Sequence, residues 1–140
     1  MKKMYFLLSF ILTLAIFSGC KDEIVTEDDF DNNPPNQLSK FSEIQKNVFS
    51  TSCALSGCHA GNNPQANLNL SEGSAYPNLV NVNSFNFPDQ KRVLPGNKEE
   101  SLLYKVLSYN FQIKMPPTGK LPQSTIDSIG VWIEKGAPND

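Results

Sequence analysis

The sequence predicts one all-α domain over residues 38–140. Two observations carry that expectation. Three segments, 40–50, 98–109 and 122–135, place apolar side chains at helical spacing. Between the first two lies a stretch over 60–94 that is rich in Asn, Pro and Ser and shows no period. A loop of that length in a small domain needs something to wrap around.

The chain opens on a processing signal, expected over 1–19. Lys2 and Lys3 precede an apolar run of fourteen residues, 4–17, broken only by Ser9 and Thr13. That run suits a signal segment better than a spanning helix. Ser18-Gly19-Cys20 then resembles a bacterial lipobox, with Phe17 departing from the usual leucine. The resemblance implies cleavage before Cys20, lipidation of that cysteine and a membrane anchor. The other reading is an ordinary secretory signal with an incidental cysteine. Lys21-Asp22-Glu23 resembles the address that follows the lipidated cysteine in surface-exposed lipoproteins of the Bacteroidetes. This implies an outer-membrane lipoprotein, surface-exposed or on the periplasmic face. Residues 20–37 carry six acidic side chains against one lysine and end in paired prolines. Such a segment cannot form a core and reads as a disordered acidic tether.

Residues 38–140 hold eight acidic and nine basic side chains. The lysines are scattered and form no run, so no nucleic-acid surface is expected. A domain this small buries a limited core, and a bound macrocycle would supply much of an apolar centre.

The helices follow in order. In 40–50, Phe41, Ile44, Val48 and Phe49 make one stripe, and Ser39 is available as a cap. In 98–109 the stripe is Leu102, Leu103, Val106 and Leu107, with Asn97 placed to cap a start bearing Glu99 and Glu100. In 122–135 it is Ile126, Ile129, Gly130 and Ile133. Pro122 suits a first turn and Gly136 with Pro138 a stop. A short helix or turn near 76–80 is also expected. Trp132 reads as core. Gly130 reads as a close-packing point where the two terminal helices cross, with an ordinary tolerated glycine as the alternative. Arg92 reads as a surface residue, with pairing to an acidic group of a cofactor as the alternative.

Cys53-Ala-Leu-Ser-Gly-Cys58-His59 contains the only histidine of the chain and two of its three cysteines. A Cys…Cys-His run is the chemistry of covalent haem attachment. Two thiols add across the vinyl groups, and the adjacent imidazole is placed to ligate the iron. The usual gap is two residues and here it is four, so the segment must bulge for both thiols to reach. The second ring nitrogen of His59 would want a carbonyl acceptor, for which Pro64 is a candidate. Two other readings of the cluster stay open. Exported cysteines this close can form a disulfide. A structural zinc wants four ligands, and this segment offers three.

Met115 bears on that choice. It is the only methionine after the signal, and it sits in Lys114-Met115-Pro116-Pro117-Thr118-Gly119. The commonest role of methionine is core filling. A stiff loop of two prolines and a glycine is better explained as presenting a ligand at fixed geometry.

In combination these pieces bring a family with them. Cys53…Cys58-His59, then Arg92-Val-Leu-Pro95-Gly96 with Ser101-Leu102-Leu103-Tyr104, then Met115-Pro116-Pro117, then Trp132-Ile133 with Gly136-Ala137-Pro138 resemble the planctomycete-type cytochrome c domain. The resemblance spans essentially the whole domain. It implies a class I cytochrome c-like fold, three to four helices around one covalently bound haem c, with the terminal helices crossing. It implies Cys53 and Cys58 as thioether links, His59 as the proximal iron ligand and Met115 as the distal one.

The function expected from this is an exported, membrane-anchored electron carrier with an unknown redox partner protein. With both axial positions filled, the metal exchanges electrons rather than binding substrate. Two alternatives stand beside it. One is a haem peroxidase-like module, which needs an open iron position and acid–base groups near it. The other is a non-catalytic surface lipoprotein with a Cys53–Cys58 disulfide.

Overall fold

The computed structural model describes residues 40–140. The expected signal, the expected lipidation site Cys20, the expected tether and the expected cap Ser39 lie outside that range. The described residues are helical and contain no strand, only two isolated bridges, Val80 with Val93 and Asn83 with Lys91.

Helix α1, Phe41–Ile44, widens into a π-helix, Gln45–Cys53. The widened ladder closes with Ala54 N–H donating to the Phe49 carbonyl at 2.7 Å. Phe41, Ile44, Val48 and Phe49 are buried, as their spacing requires. The helix runs three residues past the predicted end, which makes Cys53 its last residue. Its first N–H groups are capped from far along the chain. Phe41 N donates to Asp140 Oδ1 at 2.8 Å and Ser42 N to the Asp140 carbonyl at 3.0 Å. Orphan donors at a helix start need such acceptors, and spacing along the sequence gives no hint of this one.

Helix α2, Ala75–Leu79, lies where a short helix was expected. Helix α3, Leu102–Leu107, is shorter than predicted at both ends. Asn97 Oδ1 accepts from Glu100 N at 3.0 Å, and the buried Ser101 hydroxyl donates to the Asn97 carbonyl at 2.8 Å. These side-chain bonds hold 97–101 as a turn in competition with the helix. At the other end Tyr109 turns left-handed at φ +67°, and Asn110 N reaches back to the Lys105 carbonyl at 3.0 Å. That is a Schellman stop built on a tyrosine. Helix α4, Gln123–Glu134, starts after Pro122 and stops at Gly136, φ +95°, with Ala137 N on the Trp132 carbonyl at 3.0 Å. Here the start and stop signals in the sequence hold.

Trp132 is fully buried, and its indole N–H donates to the Pro138 carbonyl at 2.9 Å. Its ring lies 5.5 Å from that of Phe41, which joins the first helix to the last. Tyr76 stacks edge-on against Phe41 at 5.2 Å and donates its hydroxyl to the Ala137 carbonyl at 2.9 Å. The tail 137–140 therefore ties α1, α2 and α4 together. Gly130 is a close-packing point, but its neighbour differs from expectation. A Cβ there would meet Tyr104 Cε2 of α3 at 2.9 Å rather than α1.

Candidate cofactor site

The site begins where the π-helix ends. Cys53 closes the helix, and the chain turns at once. Cys58 N donates to the Leu55 carbonyl at 3.0 Å, with Gly57 at φ +79°. His59 N then donates to the Cys53 carbonyl at 3.1 Å, closing the whole segment into a loop. Gly57 has no Cβ and reaches this left-handed conformation at no steric cost. The four intervening residues are thereby absorbed as an outward bulge with Leu55 exposed at its crest. Cys53 and Cys58 are both half-buried free thiols facing one cavity. Burial pushes the Cys53 thiol up to about 11, and the neighbouring Cys58 adds to the rise.

His59 is held from behind. Its Nδ1 lies 3.2 Å from the Gln65 carbonyl oxygen and 3.2 Å from that of Leu68. Carbonyls only accept, so Nδ1 must carry the hydrogen. In the neutral ring Nε2 is then the lone-pair nitrogen, the form of imidazole that ligates a metal. The expected acceptor was Pro64. Its carbonyl instead takes Asn67 N at 3.1 Å, inside the single helical turn Gln65–Asn67, and the carbonyls of Gln65 and Leu68, which flank Ala66 and Asn67, take the ring nitrogen.

Further lining comes from α3 and the segment after it. Leu102, Leu103, Val106 and Leu107 line the cavity, as does Met115. Met115 N donates to the Val106 carbonyl at 3.0 Å, which fastens the methionine loop to α3. The Tyr109 hydroxyl donates to the Pro116 carbonyl at 3.1 Å, a second tie on the same loop. Lys114 and Lys120 place their ammonium groups 5.5 and 6.0 Å from the centre of the Tyr109 ring.

Cys53, Cys58, His59 and Met115 thus share the lining of one cavity of about 410 Å³. The walls are mostly apolar, with Leu68, Leu70, Leu79, Phe87 and Ile113 among them, and Gln65, Ser84, Asn86 and Arg92 are among the polar members. Small-molecule sites typically enclose roughly 300–1,000 Å³ with this kind of lining. A larger surface hollow, about 710 Å³, lies beside α1 and α2 and contains none of the four. No group of three or more His, Cys, Asp and Glu side chains suited to a metal ion occurs among the described residues.

Arg92 is the residue the sequence misplaced. It is buried, at 7% exposure, rather than on the surface. Its guanidinium donates to the backbone carbonyls of Asn78 at 2.8 Å, Ala66 at 3.0 Å and Asn67 at 3.2 Å. Burial lowers its pKa from the ordinary value. Tyr109 was also missed, since a tyrosine at a helix end carries no spacing signal.

No helix among the described residues is long and apolar enough to cross a membrane. No protein-family model, curated protein or solved structure matches the chain.

Proposed function

We propose that this domain is a c-type cytochrome that carries electrons through one covalently held haem, on a chain exported and anchored through lipidated Cys20. The observation that carries the reading is the state of His59. Two carbonyls oblige its Nδ1 to keep the hydrogen, leaving Nε2 free to bind a metal.

The donor set fits a haem. Two free thiols lie on one cavity with the imidazole, and a thioether lines the same cavity from a separate loop. A hydrophobic lining suits the macrocycle. Cys53 and Cys58 would hold it by thioether bonds, with His59 and Met115 as axial ligands. When bound, the haem supplies one-electron redox chemistry at a potential that methionine ligation raises relative to two imidazoles.

The protein's own contributions follow from the geometry. The closed 53–59 loop brings both thiols to one wall. The Gln65 and Leu68 carbonyls fix the imidazole tautomer. Val106 and Tyr109 hold the methionine loop through its backbone. The apolar walls offer a low-dielectric surface to the macrocycle. Nothing in the lining offers a second imidazole or a carboxylate for acid–base work, which favours the carrier over the peroxidase-like reading.

The test is mass spectrometry and a pyridine haemochrome spectrum of protein made with a cytochrome c maturation system. One added haem that survives acid–acetone extraction is expected. A haem-free mass with Cys53 and Cys58 oxidised to a disulfide would establish the non-catalytic lipoprotein instead. For the anchor, Cys20→Ser should move the protein into the soluble fraction, because stable anchoring needs acyl chains. Wild-type membrane retention of that variant would remove lipidation as the anchor.

A further inference from the structure

We infer that Arg92 is the positioning residue for His59, acting through the turn at 65–68; the inference deepens the reading of His59 as an iron ligand and rests on it.

Arg92 is fixed at its own backbone. Its N–H donates to the Val82 carbonyl at 2.8 Å, and its carbonyl accepts from Leu103 N at the start of α3 at 2.9 Å. From this pinned point the guanidinium reaches three carbonyls on two segments, Asn78 near the end of α2, and Ala66 with Asn67 in the turn. It forms no ion pair among the described residues. A buried guanidinium given over to backbone oxygens is costly unless those bonds are made.

The turn it grips needs gripping. Ala66 and Asn67 both have left-handed backbone, φ +54° and +49°. A residue with a Cβ disfavours that region, alanine more than asparagine. The carbonyls immediately outside this strained pair, Gln65 and Leu68, are the two that take His59 Nδ1. Arg92 therefore holds residues 66 and 67, and residues 65 and 68 in turn hold the ring. The planar fork of arginine spans carbonyls on separate segments, whereas a lysine ammonium is a compact point charge. Without the fork the turn relaxes toward right-handed backbone. The two acceptors then part, and the imidazole loses both its fixed tautomer and its orientation.

The full mature chain is compared with Arg92→Gln, Arg92→Lys and the double variant Arg92→Gln/Ala66→Gly. The readout is the His59 ring Nδ1–H by nitrogen-15 NMR, in reduced haem-loaded protein if the wild type loads haem and in haem-free protein if it does not. Hydrogen exchange at Nδ1 should be roughly tenfold faster in Arg92→Gln, the factor expected when the hydrogen bonds that protect the ring N–H are weakened by the worth of one such bond. Arg92→Lys should fall between. Ala66→Gly, which removes the steric penalty of the left-handed turn, should restore part of the protection. In haem-loaded protein the electron paramagnetic resonance g-values of the oxidised form should shift in parallel. Exchange in folded Arg92→Gln within about twofold of wild type overturns the inference, leaving Arg92 a clamp on the fold alone. If Arg92→Gln does not fold, Arg92→Lys decides by the same measurement. A wild type that takes no haem sinks the cytochrome reading, while the ring measurement still decides whether Arg92 sets the imidazole.

Discussion

His59 Nδ1 and the carbonyl oxygen of Leu68 lie 3.2 Å apart, nine residues removed along the chain. That one bond, with its partner from Gln65, turns a lone histidine into a histidine with an assigned tautomer. The relationship depends on a left-handed turn at Ala66 and Asn67, and so on whatever keeps that turn in place.

If the domain is the proposed cytochrome, Met115→Ala should leave haem attached, because the proposed thioethers are at Cys53 and Cys58. The reduced protein should gain carbon monoxide binding and the reduction potential should fall, since a methionine ligand raises it. Truncating a partly buried methionine should also cost about 2 kcal/mol of stability. Spectroelectrochemistry and carbon monoxide titration check this. A wild type that already binds carbon monoxide as readily as the variant would place the peroxidase-like reading ahead.

Tyr109→Phe removes the hydroxyl that holds the Pro116 carbonyl and nothing else of the ring. The loss should be about 1 kcal/mol, the ordinary net worth of such a bond. Its effect should concentrate on the methionine loop. Carbon monoxide should enter the reduced variant slowly and incompletely, between wild type and Met115→Ala. A variant that loses stability yet excludes carbon monoxide like the wild type would show that Tyr109 does not hold the ligand loop.

Protein made without haem loading should show an unreactive Cys53. With its pKa pushed up to about 11 from an ordinary 9.0, the thiolate at pH 8 should be roughly a hundredfold scarcer than on a free cysteine. Iodoacetamide labelling resolved by peptide mass should give a correspondingly slow rate at that residue. The sign for stability follows from linkage. The folded chain keeps this proton up to about 11, while the unfolded chain releases it near 9.0. The contribution of about 3 kcal/mol is therefore complete below pH 9 and lost as the pH rises toward 11. Cys53→Ala should flatten the stability profile across that window, as urea unfolding at several pH values would reveal.

Gly130 offers a graded test of packing between α3 and α4. Alanine gains about 1 kcal/mol of helix propensity but puts its Cβ 2.9 Å from Tyr104 Cε2 and 3.1 Å from Lys98 Cδ. Both neighbours are partly exposed side chains that can give way, so Gly130→Ala should come out near neutral. Gly130→Leu cannot be absorbed in this way and should cost about 1–3 kcal/mol. Thermal melts of the two variants would expose an open space at this position if leucine proved harmless.

The sequence by itself determined the all-α class and the approximate place of its helices, because buried faces demand apolar side chains at the helical period. It also determined α4 almost to the residue, since Pro122 and Gly136 act on their own backbone and need no partner. The candidate donors Cys53, Cys58, His59 and Met115 were legible because each residue type is rare in this chain and chemically distinctive. Only the tertiary structure decided that those four share one cavity, that Gln65 and Leu68 rather than Pro64 hold the imidazole, and that Arg92 is buried. It alone decided that Asp140 caps the first helix and that Tyr104 faces Gly130. The physical reason is common to these cases. They are contacts made by backbone carbonyls or by side chains far apart in the chain, and a carbonyl carries no residue identity for a sequence to display.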